Sequence, residues 1–310
     1  MNLAQGWFAF SLGVLGALGL PPAVGTGTGE LIVCGGAEVF ILDVRQQPPR
    51  KLWSWRAAGR PELPENMRKK FETTDDCKPV DGGRRILITS SGDGVALVER
   101  ASGKVLFYAS VPNAHSAEVL PRGRLVVAAS IAPNQPGDRL ILFDLQKPDQ
   151  PLFHTAFPSA HGVVWDGGRA LLWALGGDYL RSYRLAGWDT ASPRLDLAAE
   201  YRLPDSDGHD LSPVPDSDLL VLTTHLHVWV FNRSQHSFSL HPQLGGEADV
   251  KCAIAHPITK QLLWMRAGKG VWWTDTLRFL GPEKTVTLKE NMYKARWLGC
   301  KPGPVARSLR

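Results

Sequence analysis

Six times along the chain a basic side chain opens a similar phrase of about fourteen residues. The phrases are KPVDGGRRILITSS from Lys78, HSAEVLPRGRLVVA from His115 and HGVVWDGGRALLWA from His161, then HDLSPVPDSDLLVL from His209, KCAIAHPITKQLLW from Lys251 and, more faintly, KARWLGCKPGPVAR from Lys294. Their separations are 37, 46, 48, 42 and 43 residues. A period of this size, built from short strands rather than helices, is the sequence signature of a β-propeller.

Each phrase has the same internal logic. A short apolar stretch such as Val163-Val164-Trp165 runs into turn residues such as Asp166-Gly167, and a second apolar strand, Leu171 to Ala174, follows. That is a hairpin with the basic residue at its entrance. Two more strand-like segments follow each hairpin, as with YLRSYRL and DLAAEYRL after His161. Hairpin plus two strands makes a four-stranded blade. The last phrase supplies a single strand, while ELIVCGG, AEVFILDV and KLWSWRAA precede the first phrase. Joining these incomplete sets closes the ring and removes its open edges. The expected fold is therefore an all-β propeller of six four-stranded blades, with seven as the alternative because residues 59–74 form a long, charged, irregular stretch. That stretch is expected to be a loop rising over one face.

In a propeller the first strand of every blade lines the central channel, so a residue repeated at its entrance is repeated around the axis. Three imidazoles (His115, His161, His209) and three ammoniums (Lys78, Lys251, Lys294) are then expected to converge. Converging positive charge without carboxylates of its own calls for an anion at the centre. The structural alternative is a hydrogen-bonding histidine of the kind found in WD-type propellers, which Gly208-His209 resembles. Three neutral imidazoles could also hold a transition metal, but three neighbouring ammoniums repel a dication. Asp75, Asp76 and Asp210 could hold Ca²⁺ or serve as charge partners of the lysines. No cofactor is required by the pattern. The remaining histidines, His225 among them, fall on or beside outer strands and read as ordinary surface or satisfied residues, and Trp165, Trp173, Trp264, Trp272, Trp273 and Trp297 as blade-packing core.

Composition sets limits. A 310-residue chain that is 44% hydrophobic and 21% charged can bury a large core. A net charge of +5 without an interleaved basic-aromatic face argues against nucleic acid as partner. The apolar run from Gly6 to Leu20, followed by Pro21-Pro22 and small residues, reads as a signal peptide over residues 1–25, although it lacks a basic n-region. Residues 26–310 are then a single secreted domain, monomeric and without stable membrane insertion. Cys34, Cys77, Cys252 and Cys300 allow three disulfide pairings or buried free thiols, and no zinc-finger spacing is present.

The phrases DDCKPVDGGRRILITSS, GVALVERASGKVLFYA, NAHSAEVLPRGRLVVAAS, HGVVWDGGRALLWALG, GHDLSP and YKARW resemble a family of bacterial and fungal β-propellers of unknown function, over Glu30 to Trp297. More distantly the chain resembles propeller polysaccharide lyases, including those that release rhamnose from glucuronate in plant gums, which are generally seven-bladed. The expected activity is β-elimination on an acidic carbohydrate. It needs a cation for the C6 carboxylate, a base for the C5 proton and an acid for the leaving O4. His115 is the candidate base, with His161 or His209 as acid or second base. Lys78, Lys251 and Lys294 are the candidate carboxylate-neutralising groups, and Asn113 and Tyr293 orient the substrate. The alternatives are a non-catalytic module for an acidic sugar or other small anion, and an interaction scaffold.

Overall fold

The computed structural model describes residues 29–299, so the segment expected to be a signal peptide and Cys300 lie outside the described residues. Six sheets of four antiparallel strands make up a propeller. Blade 1 combines the strands Glu30–Cys34, Val39–Asp43 and Arg50–Trp55 with an innermost strand, Lys294–Trp297, from the far end of the chain. Blades 2 to 6 are continuous in sequence. Their innermost strands are Thr74–Val80, Ala114–Leu120, Ala160–Asp166, Asp210–Pro213 and Val250–Ala255. These strands touch one another in ring order, blade 6 against blade 1 and blade 1 against blade 2.

Burial explains the strand sequences. A second strand is covered on both faces by neighbouring blades, so Leu125 to Ala129 is an unbroken apolar run with every residue buried. An outer strand such as Val105–Ser110 has one wet face and alternates. Trp55, Phe107, Phe143, Phe157, Trp173, Phe231, Phe279 and Trp297 fill the wedges between blades.

Ring closure is antiparallel, with Leu31 opposite Trp297 and Cys34 opposite Lys294. Just past this seam Gly35 passes so close to the returning chain that a Cβ there would sit 2.4 Å from the Asn291 carbonyl oxygen. Gly35→Ala must push backbone against backbone and is expected to cost about 1–3 kcal/mol, measured by denaturant unfolding.

Residues 59–74 form a packed crossover rather than an irregular loop. A helical turn at Glu65–Arg68 and a tighter turn at Lys69–Phe71 bury Leu63, Met67 and Phe71, with the Phe71 ring edge-on to Trp55 at 5.5 Å. This crossover delivers Thr73, Thr74 and Asp75 to the axis. Cys34, Cys77 and Cys252 are free, buried thiols, and burial pushes the Cys252 thiol up to about 12. Among the described residues no helix is long and apolar enough to cross a membrane.

Candidate functional site

Four of the innermost strands carry the same irregularity. Pairing with the second strand slips by one residue at Asp75, His115, His161 and Lys251, leaving each of these bulged out of the ladder. His209 and Tyr293 take the matching place in blades 5 and 1, immediately before the paired residues Asp210 and Lys294. The axial ring is therefore Tyr293, Asp75, His115, His161, His209 and Lys251.

The backbone ahead of the bulge is equally regular. Asn113, Ser159, Asp207 and Asp249, each two residues before an axial side chain, have positive φ of 46°, 48°, 63° and 57°. Asn and Asp tolerate this left-handed conformation better than most residues. In blades 3 and 4 the turn aims a carbonyl back at the imidazole. His115 Nδ1 donates to the Asn113 carbonyl at 3.1 Å and His161 Nδ1 to the Ser159 carbonyl at 2.7 Å. With Nδ1 protonated, Nε2 keeps its lone pair, so both rings are held as bases.

The ring opens into a cavity of about 480 Å³ lined by His115, His161, His209, Asp75, Asn113 and Tyr293, with His225, Trp272 and Trp273 on one wall. The three axial imidazoles form a row, with centroids 4.2 Å apart from His115 to His161 and 5.1 Å from His161 to His209. Burial holds all three below the ordinary imidazole value, His161 and His209 well below. For His161 the neighbouring His115 adds to this, and for His209 the Lys251 ammonium does. Asp75 lies 3.8 Å from His115 Nε2 and accepts from the Ser91 amide, yet burial raises its carboxyl above the usual range. Burial likewise pushes the Tyr293 phenol well above its ordinary value, so it stays protonated.

The expected convergence of six basic side chains is corrected in two of its members. None of the three lysines lines the cavity. Lys251 is bulged at the ring but 1% exposed. Lys78 and Lys294 lie three residues beyond Asp75 and one beyond Tyr293, on the channel side of the ring. They belong to a buried plug with its own carboxylates. Lys294 Nζ is 3.1 Å from Asp210 and Lys78 Nζ 3.1 Å from Glu118. Arg296, 4% exposed, bonds Asp76 through Nε at 3.0 Å and Asp210 through both terminal nitrogens at 2.9 and 2.6 Å. Three cations thus meet three carboxylates. Arg296 and the lysines hold Asp76 and Asp210 below the usual range against the cost of burial, whereas burial raises Glu118. The oxygens considered for Ca²⁺ at Asp76 and Asp210 are taken by these cations, and among the described residues no group of three or more His, Cys, Asp or Glu side chains is arranged to hold a metal.

Lys251 is the lysine that remains at the ring. Its Nζ donates to His209 Nε2 at 3.4 Å and stands 4.9 Å from the Trp272 ring centroid. Burial pushes its ammonium down to about 8. Three cavity residues depart from the sequence expectation. Trp272 and Trp273 are 59% and 42% exposed instead of packed between blades, and His225 lines the cavity with its ring 4.3 Å from that of His209 and tilted by 37°, instead of being an ordinary surface or satisfied histidine. All three sit on hairpin loops, where period-based reading has no purchase. A finer signal did exist for the ring. Asn113-Ala114-His115, Asp207-Gly208-His209 and Asp249-Val250-Lys251 share a polar residue two places before the axial one, and the same spacing selects Thr73-Thr74-Asp75 and Asn291-Met292-Tyr293.

Residues 36–301 match the model of a family of unknown function, DUF6528, and the chain belongs to that family. No curated protein matches it.

Proposed function

We propose, for this member of a family of unknown function, that the axial cavity binds an acidic carbohydrate and cleaves it by β-elimination. The observation that carries this reading is the row of neutral imidazoles, two of them anchored through Nδ1 so that Nε2 is free to take a proton. An Nε2 of His115 or His161 removes the C5 proton of a uronate. The C5–H electrons form the C4–C5 double bond as the C4–O4 bond breaks, and Tyr293, kept as a phenol by burial, returns a proton to O4. Asp75 beside His115 favours the imidazolium so formed. Asn113 orients the substrate from the rim.

The test is the ultraviolet absorbance of an unsaturated uronate after incubation with glucuronate- and galacturonate-containing polysaccharides. His115→Ala and His161→Ala are each expected to slow its appearance about a hundredfold while leaving binding in place. Silence across the panel, with binding retained, would favour the second reading, a non-catalytic module for an acidic sugar. That reading draws on Trp272 and Trp273, whose exposed rings offer a platform for a sugar face without any chemistry.

A further inference from the structure

Proton transfer uses one end of the cavity and leaves the other unexplained. His209 is 6% exposed, yet its Nδ1 has no hydrogen-bond partner among the described residues. Because its Nε2 accepts from Lys251, the proton of the neutral ring sits on Nδ1. His209 is therefore a buried donor with nothing to donate to, a costly arrangement unless a ligand supplies the acceptor. Beside it, the buried Nε2 of His225 also lacks a partner. Lys251 differs from Lys78 and Lys294 in the same sense. Among the described residues it has no carboxylate within ion-pair distance, only His209 and the face of Trp272.

An unmatched donor and an uncompensated ammonium in one corner ask for one thing, an acceptor that carries negative charge. We propose that His209, His225 and Trp272, backed by the buried Lys251, form the carboxylate-binding corner of the cavity. Lys251 donates to His209, and His209 Nδ1–H donates to the C6 carboxylate of a uronate whose ring lies against Trp272. The assignment rests on the acidic-carbohydrate reading and orients the substrate within it. His161, whose ring centroid is 5.1 Å from that of His209, then faces C5, the carbon bonded to the carboxylate, and is the base, with His115 and Asp75 behind it. A monoanion suits the corner better than a phosphate dianion, since Asp207 lies 3.8 Å from His225 and Asp249 bears on Lys251.

The charge of Lys251 is also poised to report on the ligand. Besides burial, Lys294 lowers its pKa and Asp249 raises it, while the neighbouring His209, His115 and His161 are neutral. A bound carboxylate favours the ammonium. Uronate affinity is therefore expected to be flat below about pH 8 and to weaken about tenfold per pH unit above it, until the pKa of the complex is reached.

The experiment is titration calorimetry with D-glucuronate and D-galacturonate, which have no glycosidic bond to break, against their methyl esters and inorganic phosphate. The free acids are expected to bind at least tenfold more tightly than the esters. Lys251→Met and His225→Ala, checked for folding by circular dichroism, should erase the difference. Equal binding of acids and esters would overturn the proposal, as would a flat profile from pH 7 to 10 or tighter binding of phosphate than of uronate. Its failure is separable from that of the lyase reading. Acid-selective binding without any unsaturated product would sink elimination and leave the corner standing, whereas elimination undiminished in Lys251→Met and His225→Ala would do the reverse.

Discussion

Arg296→Met is expected to lower folding stability by about 3–5 kcal/mol, because it strands two buried carboxylates that share one guanidinium. Asp76 and Asp210 are 1% and 2% exposed, and Arg296 makes three of their hydrogen bonds. Lys294 still faces Asp210 and the Ser116 hydroxyl still donates to Asp76, but one ammonium cannot replace a fork that spans both acids. Removing the stranded carboxylate charge as well, in Arg296→Met with Asp76→Asn, should recover a substantial part of the loss, since Lys294 still pairs with Asp210. The cost lies in the unpaired charge more than in the absent bonds. Denaturant unfolding at neutral pH reads both variants. A single-variant loss below about 1 kcal/mol would show that the plug does not hold the channel together.

The plug also places the ring. Asp76, Asp210 and Lys294 each directly follow an axial residue, so the ion pairs that fix them fix the backbone at Asp75, His209 and Tyr293. Six basic side chains at one point would have repelled one another. The fold instead sends Lys78 and Lys294 to carboxylates and leaves the imidazoles neutral above them.

The blade count and the seam between the chain ends were legible because apolar strands and turn residues repeat along the whole sequence, as in Leu125 to Ala129 and Leu171 to Ala174. His115, His161, His209 and Lys251 were legible as ring members for the same reason. Asp75 and Tyr293 were not, since aligning by charge carried the register onward by three residues to Lys78 and by one to Lys294, offsets that composition does not mark. His225, Trp272 and Trp273 could not have been read from periodicity at all. They reach the cavity from loops, and only the closed ring brings those loops beside His209.

The second large effect is loss of stability in mild acid, starting near pH 6.5. His115, His161 and His209 all have folded pKa values below that of an unfolded histidine, about 6.5, with burial as the first cause. Between the folded and unfolded values the unfolded chain binds more protons, so stability rises with pH there and falls as pH drops. Each group contributes up to about 1.4 kcal/mol per pH unit, and the three together up to about 4. Two carboxyls act in the opposite sense. Asp75 and Glu118 have raised folded values, so the stability they add is fully present at low pH and is lost as pH rises through those values. They soften the decline only once pH has fallen toward their own titration. Asp76 and Asp210, held low by Arg296, contribute above about pH 4 and lose that contribution below it, giving a second and later fall. Unfolding midpoints at about pH 7.5, 6.5, 5.5, 4.5 and 3.5 separate the two stages. His241 and His256, also lowered by burial, add to the slope in the same sense, and His161→Gln, which cannot titrate, should reduce the slope between 6.5 and 5.5 by up to about 1.4 kcal/mol per pH unit. A stability flat across that interval would mean that the imidazoles take up protons as readily in the folded ring as in the unfolded chain, and the row of neutral bases at the cavity floor would then not exist at neutral pH.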